Sequence, residues 1–347
     1  MAASITFSSL RLLSTSSRLI LRNNIIRCLS STQSGSQLTT DAATERDPFP
    51  IFSDKKVQDL LFRITGYDYL KVAGPQKKKI SPAVYKLLTD EEMQKDIDEA
   101  KERLKFRVQI PPFMNPRKRH LTPLIVDPDL AGFDTSSYVF VDVSFGLKDR
   151  QRSVLMRETN GDLRVAPWDV KERMNGIFNP RVGREYMKPK MFEEQFLEKL
   201  IVQKKYLYIL DRACCQFEPD DPDFIRTTRR VYNAINSMQD FDLLRSTRHF
   251  GSLAFYLAWN ASIDDLLLDM INRDLLSDAG DLINLYCLIH PSSSCTQELS
   301  NVSGKDPDVC IQAYLKTDSK KKSQHELSLQ AILDARKAKQ KLKTQTN

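Results

Sequence analysis

Apolar residues recur along this chain with two different periods, and the change of period divides it. From Tyr138 to Phe145 they alternate, with Val139, Val141, Val143 and Phe145 on one face and Asp142 and Ser144 on the other. That pattern predicts a half-buried strand. Two further strands, Ser153–Glu158 and Leu163–Ala166, flank Asn160-Gly161, the strongest short hairpin signal. Together they predict a small antiparallel meander over 136–166. After Pro167 the period becomes 3.6, through segments near 167–177, 192–217, 222–238, 241–260, 263–276 and 278–290. Helix starts are marked by Asp221-Pro222, by Asp240, by Ser262 with Asp265 three residues on, and by Ser277. Ile263, Leu266, Leu267, Met270 and Ile271 make one apolar stripe, and Leu282, Ile283, Tyr286 and Ile289 another. Short connections imply antiparallel neighbours. Uneven helix lengths and the lack of a recurring consensus argue against a tetratricopeptide or ankyrin array.

The pattern before the meander is sparser. Ser53 opens a short helix carrying Val57, Leu60, Leu61 and Ile64, which stops at Gly66. Residues 71–82, with Lys77-Lys78-Lys79 and two prolines, read as an extended connector. Thr89-Asp90-Glu91-Glu92 is a capping box whose helix runs to about Arg107. That helix is mostly charged and reads as a surface or bridging element. Residues 108–135 are Pro-rich and aperiodic, and a loop of that length usually has a partner. Residues 292–312 read as a linker, followed by a lysine-rich, weakly amphipathic tail. The expected fold is therefore α+β and mainly α. A small β-meander precedes a multi-helix antiparallel bundle or solenoid-like half, with extended arms at both ends. The expected organisation is 1–29 presequence, 30–53 linker, 54–135 N-terminal helices and loop, 136–166 meander, 167–291 helical domain, and 292–347 linker and basic tail.

Charge changes this picture at the ends. The first 40 residues hold four arginines, ten serines, no lysine and no acid. On a helix Arg11, Arg18 and Arg22 share one arc, with Leu13 and Ile20 opposite. This is the composition of a mitochondrial transit peptide. A secretory signal would need an apolar run that Arg18 and Arg22 interrupt. Arg27-Cys28-Leu29-Ser30 suits cleavage near Ser30. The formal net charge is +7, with 52 Lys and Arg against 45 Asp and Glu. Setting aside the four N-terminal arginines, and the nine basic and three acidic residues from Lys316 on, leaves 39 basic against 42 acidic residues. A body this close to neutral is not a general polyanion binder. The longest uncharged apolar stretch, Phe250–Ile263, is 14 residues, short of the roughly 20 a membrane span needs. Six cysteines show no C-x-x-C pair, and free buried thiols are expected.

No phosphate-loop, dinucleotide, zincin or nucleophile-elbow motif occurs, and eleven glycines leave little for a phosphate cradle. The four histidines (120, 249, 290, 325) are far apart in sequence, and His290 suits a helix-end cap. No catalytic residue, metal or cofactor is expected. Basic clusters remain as candidate RNA contacts, because guanidinium forks and lysines fit phosphate. They are Arg117, Lys118 and Arg119 in the loop, Arg226, Arg229 and Arg230 on one helix, Arg245 and Arg248, and Lys320, Lys321 and Lys322 before the tail. Arg245 and Arg248 have an alternative role as ion-pair partners of Asp240, Asp242 or the acids after residue 263.

Leu243-Leu244-Arg245-Ser246-Thr247-Arg248-His249-Phe250-Gly251 and Gln216-Phe217-Glu218-Pro219-Asp220 resemble one family, as do the Tyr138–Phe145 strand and Tyr85-Lys86-Leu87-Leu88-Thr89. It is the mitochondria-specific small-subunit ribosomal protein family numbered twenty-two, and the resemblance spans about 54–291. It implies a structural subunit of the mitochondrial ribosome in the matrix, without catalysis, supporting translation. Its partners would be other small-subunit proteins and, peripherally, the ribosomal RNA, with no membrane span and no homo-oligomer expected. The alternative is a helical matrix adaptor, or an RNA-stability or ribosome-assembly factor.

Overall fold

The computed structural model describes residues 3–5, 46–66, 68, 71, 82, 85–105, 108–117, 123–132, 135–149, 151–301 and 306–345. The chain forms two units, one of residues 1–46 and 118–187 and the other of 47–117 and 188–347. In the first, strands β2 (Pro123–Val126), β3 (Tyr138–Val141), β4 (Val154–Arg157) and β5 (Asp162–Val165) form an antiparallel sheet, and β1 (Ala3–Ile5) lies along the free edge of β3. The spatial order is β1-β3-β4-β5-β2. Val139, Val141, Val154 and Met156 pack with Ala166 and with Val170 and Met174 of helix α4 (Trp168–Phe178). The hairpin between β4 and β5 turns at Gly161, where φ is +86° and a Cβ would meet the Asp127 carbonyl oxygen at 2.1 Å. Only glycine fits that position without a shift.

Three expectations change in this unit. The alternation from Tyr138 does not extend the strand to Phe145. After Val141 the Asp142 carboxylate accepts from the Ser144 N–H at 3.0 Å, an Asx turn that leads the chain off the sheet. Buried Arg152 fixes the departure by donating through Nη1 to the carbonyls of Asp142 (3.1 Å) and Ser144 (2.8 Å). Val143 and Phe145 are consequently exposed. The aperiodic loop also contains a strand, β2, which pairs with β5 through a register irregularity after Pro123. It has no alternation to betray it because every residue of this edge strand is exposed. Helix α4, expected with the helices after it, packs on the sheet instead.

The second unit is helical. It comprises α1 (Phe49–Phe52), α2 (Lys55–Thr65), α3 (Asp90–Lys105), α5 (Glu194–Val202), α6 (Tyr206–Gln216), α7 (Pro222–Met238), α8 (Arg248–Trp259), α9 (Asp264–Asn272), α10 (Leu276–Ile289), α11 (Ser294–Asn301), α12 (Pro307–Thr317) and α13 (Lys322–Gln345). Its centre is α8, buried on most sides through Phe250, Leu253, Phe255 and Leu257, with α2 and α10 against it. Both stripes named above lie inside, with Ile263, Leu266, Leu267, Met270, Ile271, Leu282, Ile283 and Ile289 at 0% exposure. Full burial of one such side chain stabilises by about 1.5–3 kcal/mol.

Helix boundaries depart from the sequence reading where the breaks carry no glycine. The expected helices 192–217, 241–260 and 263–276 break at left-handed Lys204 (φ 55°), Ser246 and Asp274, while left-handed Gln239 and Ala261 fall between helices where breaks are expected. Asp54 rather than Ser53 caps α2, accepting from Lys56 N–H. Ile263 and Leu275 precede α9 and α10, with no side-chain cap. The hydroxyls of Ser262 and Ser277 are turned to the Leu257 carbonyl and to Asp278 instead.

The largest difference lies after Pro291. Residues read as linker and tail hold α11, α12 and α13, and Cys295, Cys310, Ile311, Tyr314, Leu315 and Leu329 join the core. Gly280 lets α12 approach α10 closely, since a Cβ there would lie 2.9 Å from Pro307 Cα. The turn into α13 is pinned on Asp264, whose Oδ1 accepts from Tyr314 (3.3 Å), from Ser319 Oγ (3.1 Å) and from the Lys320 N–H (3.3 Å). Fully buried His325 completes the stripe of α13 with Leu329, Ile332 and Leu333. A histidine in an i, i+4, i+7 series disguises an apolar face. The Lys77–Lys79 connector and the N-terminal arginines lie outside the described residues.

Candidate interaction surfaces

The basic residues singled out by sequence are drawn mostly into the fold. Arg117 keeps only 8% side-chain exposure and pairs through Nη2 with Asp221 Oδ2 at 2.6 Å. Its backbone N–H donates to the Asp220 carbonyl at 3.0 Å. Asp221 is also the N-cap of α7, accepting from Asp223 N–H at 2.8 Å, so the loop is tied to a helix start. Lys118 and Arg119 lie outside the described residues. On α7, Arg230 forms a two-pronged bond to Glu198 at 2.6 and 2.8 Å. Arg226 donates to the Phe192 carbonyl at 3.0 Å and to Asp223 at 3.3 Å. Arg229 is half-buried, and its Nε has no hydrogen-bond partner among the described residues.

Of the two roles open to Arg245 and Arg248, the geometry gives ion pairing to both. Arg245, with 12% side-chain exposure, lies 3.5 Å from Asp278 and 3.7 Å from Asp269. Its guanidinium stacks 5.0 Å over the Phe250 ring. Burial lowers its pKa against the pull of the two acids, and burial raises that of Asp278. Arg248 donates through Nη2 (2.6 Å) and Nε (3.0 Å) to Asp211, an acid outside the sets read from sequence. His249 is 1% exposed and places Nε2 2.9 Å from the same carboxylate oxygen. Burial lowers the His249 pKa below its ordinary value. Burial also works against the Asp211 carboxylate, but His249 and Arg248 outweigh it and lower its pKa.

At the C-terminal turn, Lys321 pairs with Asp265, and Lys320 Nζ donates to the Ala261 carbonyl at 3.3 Å. Lys322 makes a long, exposed contact of 3.9 Å to Glu326. Among the described residues no group of three or more His, Cys, Asp and Glu could hold a metal ion. No described helix is long and apolar enough to cross a membrane. His290 serves the helix end, its Nε2 bonded to the Ala258 carbonyl at 2.8 Å.

What the surface offers instead is apolar. Tyr85 and Leu87, in the Tyr85–Thr89 motif, are almost fully exposed, and Leu88, Met93 and Ile97 follow them. All of β2 is exposed, as are Ile177, Phe178, Val182, Tyr186 and Met187 at and after the end of α4. At the elbow between α5 and α6, Val202, Leu207 and Tyr208 stand out beside exposed Lys205. The sequence carries little sign of this elbow: Lys204-Lys205 is followed by Tyr206-Leu207-Tyr208, of which Tyr206 is buried and only Leu207 and Tyr208 are exposed. Exposed apolar surface, where contiguous, marks a site of interaction with another molecule.

A family model described as mitochondrial 28S ribosomal protein S22 matches residues 50–291. The chain is similar to the small ribosomal subunit protein mS22 of Bos taurus, at 36% identity over 286 residues, 82% of this chain and 79% of that protein. It is similar to the small ribosomal subunit protein mS22 of Mus musculus, at 35% identity over 281 residues, 81% of this chain and 78% of that protein.

Proposed function

The chain belongs to the mitochondrial 28S ribosomal protein S22 family, and we propose that it is a structural component of the small subunit of the mitochondrial ribosome. The observation that carries this is a family match that runs from residue 50 to residue 291 and takes in parts of both units. Its work is done by surfaces rather than by a catalytic centre. Exposed apolar patches on both units support contacts with other small-subunit proteins. RNA contacts then fall at the edges, on Lys118, Arg119 and Lys322 and on the lysines of the C-terminal helix. Arg117, Arg245 and Arg248 serve the fold, because their charges are already matched by acids. Residues 1–29 act as the transit peptide that brings the chain to the matrix, so cleavage near Ser30 takes β1 from the edge of β3, and no enzymatic step is assigned to the chain.

Sedimentation of mitochondrial lysate in magnesium-containing gradients tests this. The endogenous protein travels with the small subunit and with monosomes. A chain found wholly in the soluble fractions overturns the proposal. A chain that rides on immature small subunits and is absent from monosomes is an assembly factor instead.

A further inference from the structure

Among the described residues, helix α3 buries none of its side chains from Asp90 to Ala100. It begins with the capping box expected from its sequence: Thr89 N–H donates to Glu92 Oε2 at 3.0 Å, and Glu92 N–H donates to Thr89 Oγ at 3.4 Å. An i,i+4 pair, Arg103 to Glu99 at 3.1 Å, supports its second half. Yet every residue from Tyr85 to Ala100 is exposed, including Met93 at 49% and Ile97 at 40%. An isolated helix of 16 residues is marginal in water, and such helices persist by packing an apolar face.

That face exists, and its spacing is specific. Met93, Ile97 and Ala100 are separated by four and then three residues, and the sequence continues the series at Leu104. Four-three-four is the seam of a coiled coil, spanning barely two heptads. The charge pattern selects what meets it. From Asp90 to Glu99 there are six acids (Asp90, Glu91, Glu92, Asp96, Asp98, Glu99) against Lys95; from Ala100 to Lys105 there are three bases (Lys101, Arg103, Lys105) against Glu102. Phosphate is repelled by such an acidic half, so RNA does not fit here. A partner helix of ordinary polarity, acidic at its start and basic at its end, matches it only when antiparallel. A second copy of this helix would satisfy the same charges, but two heptads are too short to hold two free chains together.

We propose that α3 is a docking helix that packs antiparallel, along the Met93–Ile97–Ala100 seam, against an amphipathic helix of another protein of the small subunit. The proposal rests on the placement of this chain in that subunit. Tyr85 and Leu87, extended just ahead of the cap, would continue the contact beyond the helix.

The test uses the full chain expressed in cells, with a benzoylphenylalanine cross-linker at Met93, Ile97, Ala100 or, on the opposite side of the helix, Lys95. Small subunits are purified on gradients and then irradiated. The seam positions give one protein adduct, insensitive to RNase, at least tenfold above Lys95. Met93 and Ala100 map in reversed order onto a single helical peptide of that protein. An RNA adduct, a dimer of this chain, equal yield from Lys95, or no adduct in assembled subunits overturns the docking. A chain missing from small subunits altogether overturns the ribosomal reading instead, which separates the two failures. As a second arm, Ile97→Asp leaves the melting temperature of the free protein unchanged and lowers its incorporation about tenfold, or about 1.4 kcal/mol. A melting temperature lowered as by a core substitution would mean that Ile97 packs within its own chain, and the proposal would fall.

Discussion

Replacing Arg245 with methionine separates a role in the fold from a role on RNA. Methionine keeps the apolar packing over Phe250 but removes the charge that faces Asp269 and Asp278. Asp269 retains Arg273 at 2.9 Å, so the group stranded is Asp278, only 20% exposed. Removing one partner of a buried pair costs about 3–5 kcal/mol. The 3.5 and 3.7 Å separations are loose, and Asp269 keeps its second cation, so the lower end applies. A loss of about 3 kcal/mol corresponds to a fall in melting temperature of about 6–12 °C for a unit of this size. Thermal unfolding followed by circular dichroism at pH 7 measures it. Because burial already raises the Asp278 pKa, part of the loss returns as the pH is lowered and that carboxyl takes a proton. Arg245→Met with Asp278→Asn should recover at least half of the deficit. A single variant within about 0.5 kcal/mol of the parent, or a double variant no better than the single, refutes the buried-pair account and returns Arg245 to the RNA contacts.

Four other outcomes follow from the same geometry. His249 has a folded-state pKa below its ordinary 6.5, so the unfolded chain binds its proton first. Stability present above pH 6.5 is lost as the pH falls toward the folded value, by at most about 1.4 kcal/mol per unit. Denaturant titrations between pH 7 and 5 should show this slope and its flattening in His249→Gln, and equal slopes would refute it. Gly161→Ala, at φ +86° and against the Asp127 carbonyl, should cost about 1–2 kcal/mol from the backbone alone. Amide exchange of β4 and β5 reads that loss, and unchanged protection would contradict it. Arg117→Ala should lower the melting temperature by breaking the 2.6 Å pair with Asp221. Charge reversal at Lys118 and Arg119 should leave melting unchanged and weaken incorporation into the small subunit; normal incorporation would remove that loop from the RNA contacts.

Legibility in the sequence followed the strength of the local signal. The stripes of α9 and α10 and the Asp221 cap of α7 were readable because period and capping chemistry are local properties. Three left-handed turn residues were not, because Lys204, Ser246 and Asp274 lie inside the helices expected over 192–217, 241–260 and 263–276, where glycine would have announced a break; Gln239 and Ala261 fall in breaks that were expected. Strand β2 escaped for the opposite reason: exposed on both sides, it has no alternation. The arginines were legible as residues and not as contacts. Asp211 lies 37 positions before Arg248, and a pairing set by tertiary structure leaves no spacing to read. Family membership was legible in Leu243–Gly251 and Gln216–Asp220, which sit within the matched segment.

The closure of α12 and α13 over α9 and α10 carries the core past the end of the family-model match. That match covers residues 50–291, and Ile311, Tyr314, Leu315 and Leu329 beyond it belong to the same core as Leu266 and Leu282. A chain shortened to residue 291 would keep the motifs by which it is recognised and lose the cover of its own interior. Substitutions at these buried C-terminal positions should therefore be read as core substitutions, with consequences for how much protein a cell accumulates.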